Sequence, residues 1–135
     1  MANQINLSVV APDRTVFEDM VDSVIVPGEM GYMGILKSHE PSIVALKTGV
    51  VEYIDGTGQC HYVSISGGFL EVGGESAIVL ADTAERATEI DIARAERALE
   101  EARRTLRGED TGVTSEEATA ELERAINRIN TAKKA

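Results

Sequence analysis

The chain has 135 residues, 43% of them hydrophobic, with 13 Lys+Arg against 23 Asp+Glu and a net charge of -10, which is room for about one domain and a small appendage. The acid excess argues against a nucleic-acid binder, which needs a basic footprint on phosphates, and against electrostatic docking on anionic lipid. No apolar run approaches the ~20 residues of a membrane span, the first ten residues lack the basic start of a signal peptide, and a single cysteine, Cys60, excludes an internal disulfide framework.

Composition changes near residue 88. All three prolines, all five aromatics and ten of the twelve glycines precede it, whereas nine alanines follow it. Residues 1–87 carry 4 basic and 12 acidic side chains; residues 88–135 carry 9 and 11. This predicts two units, a β unit over 1–87 and a helical one over 88–135.

In the first unit Gln4 to Val9 alternates polar and apolar residues, the period of a half-buried strand. Val24-Ile25-Val26 and Ile78-Val79-Leu80 are solid runs suited to central strands, and Tyr62 to Ser66 alternates again. Turn signals separate them at Pro12-Asp13, Pro27-Gly28, Asp55-Gly56, Gly67-Gly68 and Gly73-Gly74. The pattern predicts an antiparallel β-sandwich or flattened barrel, and the stretch from Gly28 to Pro41 reads as a long loop. Gly67-Gly68 lacks the pattern of a phosphate loop, and no helix follows it.

In the second unit Ile92, Ala95, Leu99, Ala102 and Leu106 form one helical stripe, and Ala118, Leu122, Ala125 and Ile129 form another. Thr88 with Asp91, and Thr114 with Glu117, stand at capping-box spacing before them. Residues 107–112 break the two, so an antiparallel helical hairpin is expected, its first helix about 20 residues and roughly 30 Å long. Alanine favours helix but buries little apolar area, so this hairpin should grip weakly and be able to move. The plainer reading is a static surface hairpin.

A sandwich followed by such a hairpin resembles the epsilon subunit of bacterial and chloroplast F-type ATP synthase. The marks of that family here are Val10-Ala11-Pro12-Asp13, Gly31-Tyr32-Met33-Gly34-Ile35, Ser38-His39-Glu40-Pro41, Leu46-Lys47-Thr48-Gly49, Ser66-Gly67-Gly68-Phe69-Leu70-Glu71-Val72 and Ala81-Asp82-Thr83-Ala84-Glu85-Arg86. They run over the whole chain in order, and Ile90-Asp91-Ile92-Ala93-Arg94-Ala95 is similar to the family's ATP-binding motif. The resemblance implies a non-catalytic rotor subunit of a proton-translocating ATP synthase, in the central stalk. Its sandwich would contact the gamma subunit and the c-ring. Its hairpin would have a folded-down state and an extended state that reaches the alpha/beta catalytic subunits and inhibits ATP hydrolysis. It also implies a peripheral place on the cytoplasmic face of a bacterial plasma membrane rather than a thylakoid, with no lipid insertion. An ATP-sensing module is the alternative reading, and a small β-rich hydrolase a distant third.

Arg94 on the first helix, with Arg124 and Arg128 on the second, can converge if the helices run antiparallel, and three planar guanidiniums suit a polyphosphate. Asp91 and Glu85 are acceptors for an adenine amino group or ribose hydroxyls. By resemblance Glu85, Ile90, Asp91, Arg94, Ala95, Arg124 and Arg128 match ATP-contacting positions, and the family's further arginine falls at Glu101 here. ATP is then a regulatory ligand; no cofactor or metal is required. Set against this, Glu100 with Arg104 and Glu121 with Arg124 would be ordinary surface pairs on a solvated face. For the rotor interface the candidates are Glu29, Met30, Tyr32, Met33 and His39, with a loop folded on its own sandwich as the plain alternative. Cys60 and His61 are adjacent in a strand, point to opposite faces and lack a third orienting group, so no catalytic residue is expected.

Overall fold

The computed structural model describes residues 4–37 and 39–135; the side chain of His39, an interface candidate, lies outside what is described. Seven strands come first: β1 (Ile5–Ala11), β2 (Arg14–Gly28), β3 (Gly31–Ile35), β4 (His39–Asp55), β5 (Cys60–Gly74), β6 (Ser76–Ala81) and β7 (Ala84–Arg86). A 3-10 turn at Ala87–Glu89 leads into α1 (Ile92–Leu106) and α2 (Ser115–Lys134).

The strands form a flattened barrel. Their order is β1-β6-β5-β4-β2-β3, and β1 also pairs with β2. Five strands therefore close a ring, so each of them has two neighbours, while the short β3 and β7 pair on one side only. One pairing departs from the antiparallel expectation: β1 runs parallel to β6. The alternation in β1 buries Ile5, Leu7, Val9 and Ala11. These meet Val21, Val24 and Val26 of β2, Ile65 and Leu70 of β5 and Val79 of β6 in one core.

Gly67-Gly68 is not a turn between strands. Both glycines lie inside β5, a 15-residue strand. Gly68 has φ +132°, and a Cβ there would sit 2.0 Å from the Leu80 carbonyl oxygen. The pair lets the strand bend while its neighbour stays close, a use of glycine that periodicity alone does not separate from a turn. The stretch from Gly28 to Pro41 is likewise not a loop: β3 pairs with the end of β2 as a hairpin, and β4 begins at His39.

Helix α1 starts later than the Thr88 spacing suggests. Residues 87–89 form the 3-10 turn, and Ile90 is extended, φ -73° and ψ 126°. Asp91 is the N-cap, its Oδ1 accepting from the Arg94 amide at 3.1 Å. With 15 residues, α1 is about 22 Å long rather than 30 Å. The Thr114 cap of α2 is as expected, its Oγ1 accepting from the Glu117 amide at 3.1 Å.

The helices pack through small side chains: Ala95 and Ala102 from α1, Ala118 and Ala125 from α2, all buried. The ends of the α1 stripe, Ile92 and Leu106, stay exposed. Helix α2 lies against β4, β5 and the 3-10 turn, and α1 packs on α2. The hairpin is folded down on the barrel.

Candidate functional site

A cleft of about 580 Å³ lies between the barrel and the folded hairpin. The barrel supplies Asp13 and Arg14 from the β1–β2 turn, residues 64–66 of β5 and residues 82–85 around the start of β7. Helix α1 supplies Arg94 and Ala98; α2 supplies Glu121, Arg124, Ala125 and Arg128. The convergence read from helix spacing is real: Arg94, Arg124 and Arg128 share one cavity with Glu85.

Their states differ. Arg128 grips Glu85 through two bonds, Nε to Oε1 at 2.7 Å and Nη2 to Oε2 at 3.3 Å. Both side chains are about a quarter to a third exposed, so this planar pair is better shielded than the other ion pairs of the hairpin. Arg94 and Arg124 make no ion pair among the described residues. The surface pairings expected from spacing are not those formed: Glu100 pairs with Arg107 at 3.3 Å, and Arg104 with Glu109 at 3.1 Å. Arg124 is thus left for the cleft rather than spent on Glu121.

The other sequence candidates lie beside the cleft and do not line it. The Asp91 carboxylate caps α1. Ile90 packs at the helix start, and Ala95 is fully buried between the helices. Glu101 is exposed and away from the lining, so its charge does not face the arginines. Sequence reading missed Arg14, Asp13, Asp82 and Thr83, which reach the cleft through the fold of the barrel. Ala81 to Glu85 was visible as a motif; Arg14 carried no local signal.

Polar contacts fasten the hairpin to the barrel at defined points. Asn127 Nδ2 donates to the Gly49 carbonyl at 2.8 Å and to Ser64 Oγ at 2.9 Å. Near the end of α2, Lys134 Nζ sits 5.6 Å from the Tyr62 ring centroid.

The interface candidates separate. Met30 is fully exposed, and Glu29 and Tyr32 are exposed with it at the β2–β3 hairpin tip. Tyr32 also accepts a hydrogen bond from the Val50 amide at 3.2 Å, which fixes the tip against β4. Met33 instead packs against the barrel core. A second apolar surface, not legible in sequence, runs across three strands. Ile43, Phe69 and Leu80 are exposed there, with Phe69 paired to Leu80, and Ile43 and Ile78 both paired to Glu71.

Cys60 and His61 do diverge. The Cys60 thiol donates to Glu52 Oε1 at 3.1 Å, while His61 Nε2 lies 2.7 Å from Asp55 Oδ2 and stacks on Tyr53. Burial pushes the Cys60 thiol up, away from the thiolate a nucleophile requires.

A closed barrel with an alanine-seamed helical hairpin folded over a cleft lined by four arginines and four carboxylates is the architecture of a two-module subunit of the ATP synthase delta/epsilon class. Residues 4–87 match the family described as ATP synthase, Delta/Epsilon chain, beta-sandwich domain, and residues 88–133 match its long alpha-helix domain. The chain belongs to this family, among the epsilon chains, which are non-catalytic subunits of the ATP synthase complex. It is 41% identical over 132 residues to the ATP synthase epsilon chain of Desulforamulus reducens, covering 98% of this chain and 99% of that one. It is 43% identical over 128 residues to that of Moorella thermoacetica, covering 95% and 96%. Among solved structures, a chain of the Euglena gracilis mitochondrial ATP synthase, an OSCP/F1/c-ring assembly, superposes with a TM-score of 0.76 at 27% identity, over 98% of this chain and 82% of that one. A chain of the Tetrahymena thermophila central stalk and c-ring shares the fold, TM-score 0.58 at 9% identity, over 95% and 96%.

Proposed function

We propose that this chain is a rotor subunit of the central stalk, coupling c-ring rotation to the catalytic head, whose extended hairpin is a brake on ATP hydrolysis that ATP releases by holding the hairpin folded down. The stalk placement is supported by the likeness to a chain of a solved F1/c-ring assembly. The Ile43, Phe69 and Leu80 surface suits docking on the gamma subunit, because an exposed apolar patch on a closed barrel needs a partner. The tip with Glu29, Met30 and Tyr32 suits the c-ring. The bacterial relatives support a peripheral position on the cytoplasmic face of the plasma membrane, and no described helix is long and apolar enough to cross a membrane.

The ATP reading is carried by one observation: two guanidiniums, Arg94 and Arg124, have no ion-pair partner among the described residues and stand in a cleft between the barrel and the folded-down hairpin. Phosphate oxygens match a guanidinium fork, and a ligand that binds only the folded-down state stabilises it by mass action. Arg128 would add to the phosphate contacts once it exchanges Glu85 for the ligand. Calorimetric titration of ATP, with and without magnesium, into the isolated protein tests this. Saturable binding that disappears in Arg94→Ala and in Arg124→Ala is expected. Heat of dilution alone at millimolar ATP would overturn the ATP reading and leave the family assignment standing.

A further inference from the structure

Three arginines of the cleft, Arg94, Arg124 and Arg128, belong to the hairpin; Arg14, at the start of β2, is the one arginine of the lining that the barrel contributes. This matters for linkage. A ligand shifts a conformational equilibrium only by its difference in affinity for the two states. Hairpin arginines favour docking only in so far as the docked cleft holds them together, whereas a contact from the barrel adds affinity that exists only when the hairpin is docked. The barrel's acidic lining, Asp13, Asp82 and Glu85, repels phosphate and works against docking.

We infer that Arg14 is the barrel's phosphate contact, and that it converts ATP binding into closure of the hairpin. This rests on the ATP reading of the cleft. The present partners of Arg14 are weak enough to be exchanged. Its Nη1 lies 3.3 Å from Glu89 Oε2, and its Nη2 donates to the Ala84 carbonyl at 3.4 Å. Both contacts are long, and the ion pair is about two fifths exposed on each side. Such pairs hold little energy in water, whereas a phosphate beside three other guanidiniums is a multiply charged acceptor. Arg14 stands next to Ala84 and hence beside Glu85, where the Arg128 clasp closes the same cleft.

The test compares Arg14→Gln and Glu89→Gln with the unaltered full chain. ATP affinity is read by calorimetry, and hairpin closure by amide exchange along α2. Arg14→Gln is expected to weaken ATP about tenfold, the scale of one lost charge-assisted contact, and to reduce the ATP-induced protection of α2. Arg14→Lys should recover part of both. Glu89→Gln breaks the resting pair but keeps the cation, so ATP should bind it at least as tightly as the unaltered chain. If Glu89→Gln reproduces the loss, Arg14 acts only by holding Glu89, and the inference is overturned. It is equally overturned if Arg14→Gln binds ATP and protects α2 like the unaltered chain, an outcome that spares the ATP reading. Absence of ATP binding to the unaltered chain removes both.

Discussion

Asp55 holds the β4–β5 turn by itself. Its Oδ1 accepts from the Thr57 amide at 2.8 Å, the Thr57 hydroxyl at 2.6 Å and the Gln59 amide at 3.1 Å, while Oδ2 faces His61 Nε2 at 2.7 Å. The Thr57 hydroxyl first, then His61, pull its carboxyl well below the usual carboxylate range. The sign follows from linkage: a depressed folded-state value means stability that is present above the unfolded value, about pH 4, and lost as pH falls through the folded one. Denaturant unfolding of Asp55→Asn should therefore show a deficit near neutral pH that shrinks steadily on acidification below about pH 4. An equal deficit at both ends of that range would mean that the turn depends on shape and not on the carboxylate charge. At this scale the sequence was partly readable. Asp55-Gly56 announced a turn, but the arrangement that sets Asp55 against His61 needs the register of Ile54 on Cys60, which only the folded hairpin shows.

Among elements, α2 was the most legible and α1 less so. Thr114, Glu117 and the alanine stripe of α2 all agree with its observed cap and buried face. Thr88 and Asp91 offered two starts for α1, and the chain uses Asp91, because the preceding residues make a 3-10 turn and an extended step at Ile90. The long strands were legible as apolar runs but not in their extent. Glycines at 67 and 68 read as punctuation, yet they are bends that keep β5 in register with β4 and β6. What sequence could not show was how the hairpin is fastened. Asn127 sits among stripe residues as an unremarkable polar position, and its partners, Gly49 and Ser64, are 78 and 63 residues away. Ser64 is buried, so its hydroxyl depends on that contact. Asn127→Ala should weaken docking of α2 by about 1–3 kcal/mol, the range for a buried hydrogen-bonding group left without its partner. Amide exchange should quicken about tenfold along α2 while the barrel strands keep their protection. Unchanged α2 exchange would show that the alanine seam and the Glu85–Arg128 clasp suffice alone.

For the whole molecule, the proposed brake requires a hairpin that can leave the barrel. The barrel closes its own hydrogen bonds and holds a core of branched aliphatic side chains, so it keeps its shape without the helices. The polar part of its contact with the hairpin is an amide, an ion pair and a lysine over a ring, contacts that water can replace at modest cost. A docked-to-released gap of a few kcal/mol lies within reach of ligand binding, which contributes about 2.7 kcal/mol at a concentration a hundred times Kd. Released, the hairpin would carry 9 basic against 11 acidic side chains, close to balance, whereas the barrel's 12 acidic against 4 basic residues make it the more strongly repelled of the two by any acidic surface of the catalytic head. Removing residues 88–135 in the assembled synthase should then leave the barrel seated in the stalk and raise ATP hydrolysis by about fivefold or more, the low end of ordinary coupling between sites. The measurement is steady-state hydrolysis of the purified complex, with subunit content checked in the same preparation. A truncated complex that assembles fully and hydrolyses ATP at the parental rate would make the hairpin a nucleotide sensor without a brake.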